Sequence, residues 1–297
     1  MNTIEKALLK KQANIELSND KKSETAPTNS IERAEATAQT LKNQTIGEKS
    51  DAEQRLIHID LDVLNAKGFV SNSSNRQLIN EEYRAIKRKV LDNAFGPLSK
   101  SLTNSNIVMV TSSRPGEGKT FTAINLALSI ALEKDKTVLL VDADVLRPNV
   151  MRTLELKNHQ GLMEYLLGEK SDISEILYST NIPNLRIIPA GKSHHLSTEL
   201  LASEKMYDAV EEFASRYPDR IVIVDTPPLL GINETAILAN LAGQAIVVTE
   251  EYKSTLSDIQ KAVGQLNPEM AIGFVVNKAQ SSTNDGAGYG YYYAGAN

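Results

Sequence analysis

Apolar residues in the second half of the chain fall into short runs that are separated by stretches of helical periodicity. The runs are rich in Val and Ile and alternate little with polar residues, which is typical of strands buried on both faces of a sheet. Intervening stretches such as Lys119–Leu132 and Thr255–Leu266 suit crossover helices. The pattern predicts an α/β fold with a doubly wound, mainly parallel sheet. The predicted strands are Ile107–Thr111, Thr137–Val141, Leu185–Pro189, Ile221–Val224, Ala245–Val248 and Ile272–Val276.

Polar composition sets off the first quarter of the chain. Residues 13–75 are rich in Asn, Ser, Thr, Lys and Glu and have few large apolar positions, so we expect a mostly disordered linker. Ahead of it, Met1–Gln12 is either a short docking helix with Ile4 and Leu8 on one face or a frayed terminus. Within the linker, Leu56–Leu64 alternates apolar and polar residues, which predicts a short strand or a binding segment.

The C-terminal end has no pattern capable of packing. Residues 281–297 consist mostly of Gly, Ser, Asn, Ala and Tyr, which predicts a flexible tail. The expected organisation is therefore a helix and linker over residues 1–75, a folded domain over residues 76–280 and a tail over residues 281–297.

The first core strand runs directly into a glycine-rich loop and then into a helix. The loop reads Ser-Arg-Pro-Gly-Glu-Gly-Lys-Thr over residues 113–120, and a strand before it and a helix after it are the context that a P-loop requires. Its glycines let the backbone approach phosphate oxygens, while successive N–H groups attract the anion. Ser113 stands where the first glycine is usual, Lys119 is expected to reach the β- and γ-phosphates, and Thr120 to ligate Mg²⁺. Residues expected to bind ATP are Pro115, Gly116, Glu117, Gly118, Lys119, Thr120 and Phe121.

Carboxylates follow two further predicted strands. Asp142 and Asp144 end the second strand, and Asp225 ends a later one. Because ligands bind beyond the C-terminal strand ends of a doubly wound sheet, we expect the three to converge beside the loop. One or two carboxylates with Thr120 suffice for Mg²⁺, and another can orient a hydroxyl acceptor and take its proton. A single such Asp would be better explained as a helix cap or turn residue, whereas three beside a P-loop favour a metal and proton-handling site.

Composition narrows the function further. The net charge of −5 and the isoelectric point near 5.6 argue against a surface built throughout to neutralise nucleic-acid phosphates. With no cysteine there can be no disulfide, thiolate nucleophile or cysteine-held metal cluster. A secretory signal and an apolar stretch of membrane-spanning length are both missing from the sequence. We therefore expect a cytoplasmic protein without a nucleic-acid partner.

The tail concentrates tyrosine. Four of the ten tyrosines lie in the last nine residues, in a segment that also contains glycine: Tyr289, Tyr291, Tyr292 and Tyr293. A mobile tail can reach an active site, and each phosphorylation would add about −1.5 to −2 charges that repel it from a neighbouring acidic site. The alternative is a low-complexity end with no regulatory role.

Together these motifs resemble the bacterial tyrosine kinase (BY-kinase) family that controls capsule and exopolysaccharide synthesis, from about residue 76 to the C-terminus. Residues 115–120 are similar to its Walker A motif, residues 142–144 to its second aspartate motif, and residues 225–228 to its Walker B motif. The resemblance implies a tyrosine autokinase that uses ATP and Mg²⁺ and phosphorylates its own tail.

The resemblance also implies individual roles for the carboxylates. Asp144 and Asp225 would be the Mg²⁺ ligands, and Asp142 the candidate base that activates tyrosine. Arg147 lies one position later than the Arg that the family commonly carries after its second aspartate, and is expected to replace it. Asn277, at the end of the last strand, resembles an adenine-contacting position in related P-loop ATPases, although a strand-end Asn is also a common turn residue.

A Glu/Arg motif of the family, which mediates ring assembly, has a counterpart before the first core strand. Glu81, Arg84 and Lys87 or Arg88 occupy that region, and residues 81, 84 and 88 share one helix face. Lys87 stands at the second Arg position, so planar bidentate pairing requires that Arg88 substitute for it. Without the resemblance, the same residues would be interpreted as an exposed intrahelical salt bridge.

The cellular setting is also implied by the resemblance. The sequence looks like the type whose kinase is separate from its transmembrane segments, and it is similar to the exosortase-associated autokinases. A membrane-bound chain-length-determinant or co-polymerase adaptor, a homo-oligomeric ring, a cognate tyrosine phosphatase and recruitment to the inner face of the cell membrane are then expected.

Two other functions share the motifs. A ParA/MinD-like switch ATPase has the same P-loop NTPase fold, but its signature lysine near the start of the loop is Arg114 here, and Arg does not freely replace Lys at phosphate. A non-catalytic adaptor that binds ATP only to assemble is disfavoured by the intact Lys119 and aspartates. His194 and His195 lack a metal-ligand pattern and are interpreted as solvated loop residues.

Overall fold

The computed structural model describes residues 55–71 and 78–280. Each of the six apolar runs forms a strand, with ends within two residues of those predicted, and further short strands come from residues 56–57 and 178–180. The strands are β1 (Leu56–Ile57), β2 (Ile107–Ser112), β3 (Thr137–Asp142), β4 (Tyr178–Thr180), β5 (Leu185–Ile188), β6 (Arg220–Asp225), β7 (Gln244–Glu250) and β8 (Ala271–Asn277).

Helices connect these strands and cover both faces of the sheet. Short 3₁₀ helices span Pro97–Ser101 and Ile173–Glu175. The α-helices are α1 (Leu61–Ala66), α2 (Leu78–Phe95), α3 (Lys119–Ala131), α4 (Val150–Thr153), α5 (Leu162–Leu166), α6 (Ser197–Leu201), α7 (Glu204–Ser215), α8 (Asn233–Ala239) and α9 (Leu256–Val263). Among the described residues, no helix is both long enough and apolar enough to span a lipid bilayer.

The sheet is mainly parallel, as predicted. Its order is β1-β4-β5-β3-β6-β2-β7-β8, and among the described strands only β4 and β5 pair antiparallel. Since β3, β6 and β2 are adjacent and parallel, the residues that follow them meet at one edge of the sheet. This edge, the carboxyl edge, carries the glycine-rich loop and the aspartates.

Buried apolar side chains form one cluster on each face of the sheet. Strand β2 is buried along its whole length, and eleven of the residues of α3 are buried as well. Because α3 follows the glycine-rich loop directly, its packing against the sheet fixes the position from which the loop's last residues project.

The segment before α2 corrects the linker prediction. In β1, Leu56 pairs with Ser179 and Ile57 with Thr180, and side chains from this segment are buried in the core. The folded unit therefore begins at Arg55 rather than near residue 76. The five buried apolar side chains are Ile57, Ile59, Leu64, Phe69 and Val70.

The predicted alternation over Leu56–Leu64 is only partly a strand. Strand β1 ends at Ile57, and Asp60 then caps α1 by accepting hydrogen bonds from the N–H groups of Asp62 and Val63. The predictions for Met1–Gln12, for residues 13–54 and for residues 72–75 lie outside the described residues.

Candidate active site

The glycine-rich loop joins β2 to α3 and contains two glycines in the left-handed region. Gly116 has a φ of +89° and Gly118 a φ of +102°, a conformation that residues with a Cβ rarely adopt. A Cβ on Gly118 would lie 1.9 Å from Nδ2 of Asn277, so glycine is required there. Lys119 and Thr120 begin α3, which leaves the first N–H groups of that helix available to an anion.

Ser113 replaces the usual first glycine of the loop because its own backbone does not need a positive φ. Its Oγ donates to the two carboxylate oxygens of Glu117 at 2.9 and 3.0 Å. The Arg114 N–H donates to the same carboxylate at 2.7 Å, and Ser254 Oγ is a third donor. Glu117 is 3% exposed. Its side chain therefore braces the loop internally, a role that the sequence motif did not reveal.

Two residues at the end of β8 bind carbonyl oxygens of the loop. Asn277 Nδ2 donates to the carbonyl of Glu117 at 2.9 Å, and Lys278 Nζ donates to the carbonyl of Gly116 at 2.8 Å. Lys278 also pairs with Glu250 at 3.0 Å. Asn277 was predicted to bind ATP, and its contact here is with the loop backbone. Lys278 was missed, although its place directly after Asn277 at a strand end was a usable signal.

Arg114 does not point to the aspartates. Its guanidinium makes a bidentate pair with Asp258 near the start of α9, with Nε–Oδ2 at 2.7 Å and Nη2–Oδ1 at 3.0 Å. Hydrogen bonding from Arg114 holds the pKa of Asp258 below its usual value. Since 62% of the Arg114 side chain is exposed, this pair contributes little to folding.

The structure brings Asp142, Asp144 and Asp225 together with Lys119. Strands β3 and β6 are neighbours, and their register sets Asp142 beside Asp225. The three aspartates are almost completely buried. The convergence at the carboxyl edge follows from parallel pairing, which brings the strand ends to one side.

Asp142 is oriented by the backbone that follows it. Its Oδ1 accepts from the N–H of Asp144 at 3.2 Å, and its Oδ2 accepts from the N–H groups of Asn149 and Val150 at 3.1 and 3.0 Å. Burial, reinforced by the nearby charge of Asp225, raises the pKa of Asp142 to about 8. The carboxylate therefore accepts a proton more readily than a surface aspartate does.

Asp225 differs from Asp142 because neither of its carboxylate oxygens has a hydrogen-bond partner among the described residues. Burial raises the pKa of Asp225 to about 6, while the nearby charge of Lys119 acts in the opposite direction. Unpaired buried oxygens are costly, and they are the hard ligands that Mg²⁺ takes. Asp225 and Thr120 therefore fit a Mg²⁺ ion.

The rest of the metal shell would have to come from outside the protein. Within residues 55–71 and 78–280, no group of three acidic or histidine side chains is arranged to hold a metal alone. Such a sparse site suits Mg²⁺, because this ion keeps several waters and is usually bound through one or two carboxylates plus phosphate oxygens. The rings of His194 and His195 contact each other, with their centroids 4.2 Å apart.

Lys119 reaches into the carboxylate cluster. Its Nζ lies 2.7 Å from Asp144 Oδ2, and the side chain is 14% exposed. Burial opposes its charge, but Asp225 and Asp144 outweigh burial and raise the pKa of Lys119. Lys119 therefore remains a cation beside the loop. Arg147 supplies a backbone N–H to Asp144 Oδ1 at 3.1 Å, while its side chain is exposed.

The residues predicted for ring assembly lie apart from this site, on α2. Arg84 Nη1 contacts both carboxylate oxygens of Glu81 at 2.5 and 2.6 Å, and both side chains are about half exposed. Lys87 turns inward instead, donating to the carbonyl of Ser129 at 3.2 Å and pairing with Glu133. Arg88 is exposed. The predicted phosphoacceptors, Tyr289 to Tyr293, lie outside the described residues.

Comparison with known proteins agrees with this geometry. A family model described as an AAA domain matches residues 105–271, more than half of the chain. The tyrosine-protein kinase YwqD of Bacillus subtilis (strain 168) is 31% identical over 228 residues, which cover 76% of this chain and 91% of that protein. The chain belongs to the bacterial tyrosine-protein kinase family. The suspected resemblance is thereby confirmed.

Other members of this kinase family are longer. The tyrosine-protein kinase wzc of Salmonella typhimurium is 32% identical over 190 residues, which cover 63% of this chain and 26% of that protein. The chain spans about a quarter of the length of several relatives that it matches. Among solved structures, the BceF tyrosine kinase domain superimposes with a TM-score of 0.59 at 25% identity, covering 80% of this chain and 88% of that domain.

Proposed function

We propose that this chain transfers the γ-phosphoryl group of Mg-ATP to tyrosine, with its own Tyr289, Tyr291, Tyr292 and Tyr293 as the principal acceptors. The observation that carries the proposal is the buried cluster in which a cationic Lys119 faces three carboxylates next to a P-loop. Neither carboxylate oxygen of Asp225 in that cluster has a hydrogen-bond partner within residues 55–71 and 78–280. Membership of the tyrosine-protein kinase family supports tyrosine as the acceptor.

Each nucleotide-binding residue has a separate task in this proposal. The N–H groups of the loop and of the start of α3 bind phosphate oxygens, and Lys119 leaves Asp144 to neutralise the β- and γ-phosphates. Asp225 and Thr120 would hold Mg²⁺, and Asp144 would be free to join them once Lys119 has moved to the phosphates. When bound, Mg²⁺ neutralises charge that develops on the transferred group.

Asp142 is the proposed base. Three backbone N–H groups fix its orientation, and its raised pKa suits a group that must take the proton of a tyrosine hydroxyl. The reaction forms a bond between the phenolic oxygen and the γ-phosphorus, breaks the bond from that phosphorus to ADP, and leaves the phenol proton on the carboxylate.

The switch ATPase remains the alternative, and the position of Arg114 disfavours it. A switch-type signature cation would have to act at the phosphates, whereas both nitrogens of Arg114 that make contacts here are bound to Asp258. The tyrosine cluster also has no purpose in that alternative.

The setting that we propose is exopolysaccharide or capsule export. The chain would be recruited to the inner face of the cell membrane by a membrane-bound chain-length-determinant or co-polymerase adaptor, and a tyrosine phosphatase would reverse its modification. Exposed residues of α2, namely Glu81, Arg84 and Arg88, would join neighbouring copies in a ring, so that one copy presents its tail to the next.

Mass spectrometry of the purified chain after incubation with Mg-ATP tests the proposed activity. We expect phosphate on Tyr289 to Tyr293 in the full chain and none in Lys119→Met, which keeps the length of the side chain but removes its charge. A form truncated after Gly288 provides the matched control for modification elsewhere. ATP hydrolysis with an unmodified tail, even after addition of the adaptor's cytoplasmic segment, would contradict the kinase proposal and favour the switch ATPase.

A further inference from the structure

Two consecutive peptide groups of the glycine-rich loop are held by side chains from the end of β8. The carbonyl of Gly116 accepts from Lys278 Nζ, and the carbonyl of Glu117 accepts from Asn277 Nδ2. In a planar trans peptide the C=O and the following N–H point in opposite directions. Holding these two carbonyls therefore aims two successive N–H groups, those of Glu117 and Gly118, away from the end of β8.

These two N–H groups are available for a ligand. Neither donates a well-formed hydrogen bond within the described part of the chain, and the Glu117 N–H makes only the weak contact that closes the turn over residues 115–116. They lie between glycines with φ of +89° and +102°, and successive N–H groups in such a turn form a concave site for anions. A buried or half-buried N–H without a partner is costly, so a phosphate oxygen would complete this arrangement.

Lys278, which binds the Gly116 carbonyl, is itself fixed by an ion pair. Lys278 Nζ pairs with Glu250, which lies at the end of β7 directly across from Asn277 in the strand register. Lys278 has a φ of +57°, which is uncommon for a residue with a Cβ. Its contacts with Gly116 and Glu250 compensate for this backbone conformation.

We propose that Asn277 and Lys278 are positioning residues that orient the Glu117 and Gly118 N–H groups toward the diphosphate portion of the nucleotide. Without them, either peptide group can rotate and present a carbonyl oxygen to the phosphates. The proposal rests on the nucleotide-binding part of the proposed function and adds two positions that act through the loop backbone rather than on the base.

Lys253 gives a matched control for Lys278. It pairs with the same oxygen of Glu250 at 3.1 Å, but it has no contact with a loop carbonyl among the described residues. We would measure the affinity of the full chain for Mg-pyrophosphate and for Mg-ADP, together with the thermal midpoint. Lys278→Met is expected to lower the affinity for both ligands by about tenfold, because a hydrogen bond from a charged donor is lost. Lys253→Met is expected to change them by less than about twofold.

Two further variants separate positioning from a general loss of structure. Asn277→Asp keeps the size of the side chain but sets an acceptor against the Glu117 carbonyl, so it is expected to weaken pyrophosphate as well as ADP. Lys278→Arg retains a donor and is expected to recover affinity, with an unchanged thermal midpoint.

Pyrophosphate lacks the adenine base, so its affinity reports only on the phosphate-binding loop. If Asn277→Asp lowers the affinity for ADP but not for pyrophosphate, Asn277 contacts only the base, and the proposal that it positions the loop is wrong. If Lys278→Met leaves pyrophosphate affinity unchanged, or if it weakens binding no more than Lys253→Met does, the role of Lys278 is wrong. If the wild-type chain hydrolyses ATP but does not phosphorylate its tail, even with the adaptor's cytoplasmic segment added, the proposed kinase activity is refuted, while these binding results still stand.

Discussion

At the scale of single residues, the loop requires glycine at position 118 but not at position 113, where a P-loop usually has one. Gly118 combines a positive φ with close contact to Asn277, so two constraints select glycine. Ser113 replaces a customary glycine because its backbone needs no positive φ and its hydroxyl finds the buried Glu117. The motif predicted where the loop lies, whereas Ser254, which also donates to Glu117, comes from a segment that the motif does not include.

Gly118→Ala tests whether the close contact with Asn277 requires glycine, beyond the strain of a positive φ. The added methyl would meet Asn277 and displace it or the loop, so Mg-ADP affinity is expected to fall roughly ten- to hundredfold, in line with about 1–3 kcal/mol of local strain. Gly168→Ala is the control, because Gly168 has a φ of +80° and a Cβ added there would lie 3.9 Å from Lys205 Nζ, an ordinary van der Waals contact. Fluorescent ADP titration and thermal unfolding of both variants measure the difference. Equal loss of ADP affinity in the two variants would contradict this explanation.

At the scale of elements, helix α2 buries one of its basic side chains, Lys87, and exposes the next one, Arg88. Its sequence offers Lys87 and Arg88 side by side, and the helical turn sends Lys87 toward the end of α3, where it binds the carbonyl of Ser129 and the carboxylate of Glu133. A Lys that satisfies a carbonyl near a helix C-terminus also opposes the negative end of the helix dipole. Arg88 remains exposed and is the one available to a neighbouring copy.

Lys87→Met is therefore expected to destabilise the fold, and Arg88→Met is not. Loss of a charged hydrogen bond to a buried carbonyl costs about 1–3 kcal/mol, whereas exposed substitutions usually remain within about 0.5 kcal/mol. Urea unfolding of both variants gives the two free energies of unfolding. Equal values would show that Lys87 does not hold α2 against α3.

At the scale of the whole molecule, the candidate catalytic residues lie at one edge of the sheet, whereas the surface proposed for assembly lies on α2. Parallel pairing of β3, β6 and β2 brings the aspartates and the loop together. The Glu81–Arg84 pair lies on an exposed helix surface, where an ion pair contributes little to stability. Its proposed value lies in contacts between copies, through which one tail would reach the neighbouring site.

Arg84→Ala tests that assembly. Removing an exposed guanidinium is expected to leave the free energy of unfolding within about 0.5 kcal/mol, to lower the oligomer mass in light scattering, and to slow tail phosphorylation. Lys89→Ala is the control, since Lys89 is an exposed cation on the same helix. Unchanged oligomer mass and unchanged phosphorylation in Arg84→Ala would contradict the ring proposal.

The sequence by itself determined the sheet class, the strand positions and the chemistry-bearing residue types, because buried strands and a P-loop both leave local patterns. Val/Ile runs mark strands that are covered on both faces, and the loop is recognised by glycines and Lys119 between a strand and a helix. The segment 55–71 was assigned to the linker although it is rich in apolar residues, because polar stretches flank it on both sides. Its apolar side chains are buried through pairing with β4 and packing against α3.

Only the tertiary structure decided which partners each predicted residue contacts. Asp142 and Asp225 look alike in sequence, since each ends an apolar strand. In the described part of the chain, however, backbone N–H groups bind Asp142, whereas both oxygens of Asp225 lack a hydrogen-bond partner. Likewise, Asn277 and Lys278 reach the loop from about 160 residues away. Contacts over such separations depend on strand order and register, which local sequence patterns do not encode.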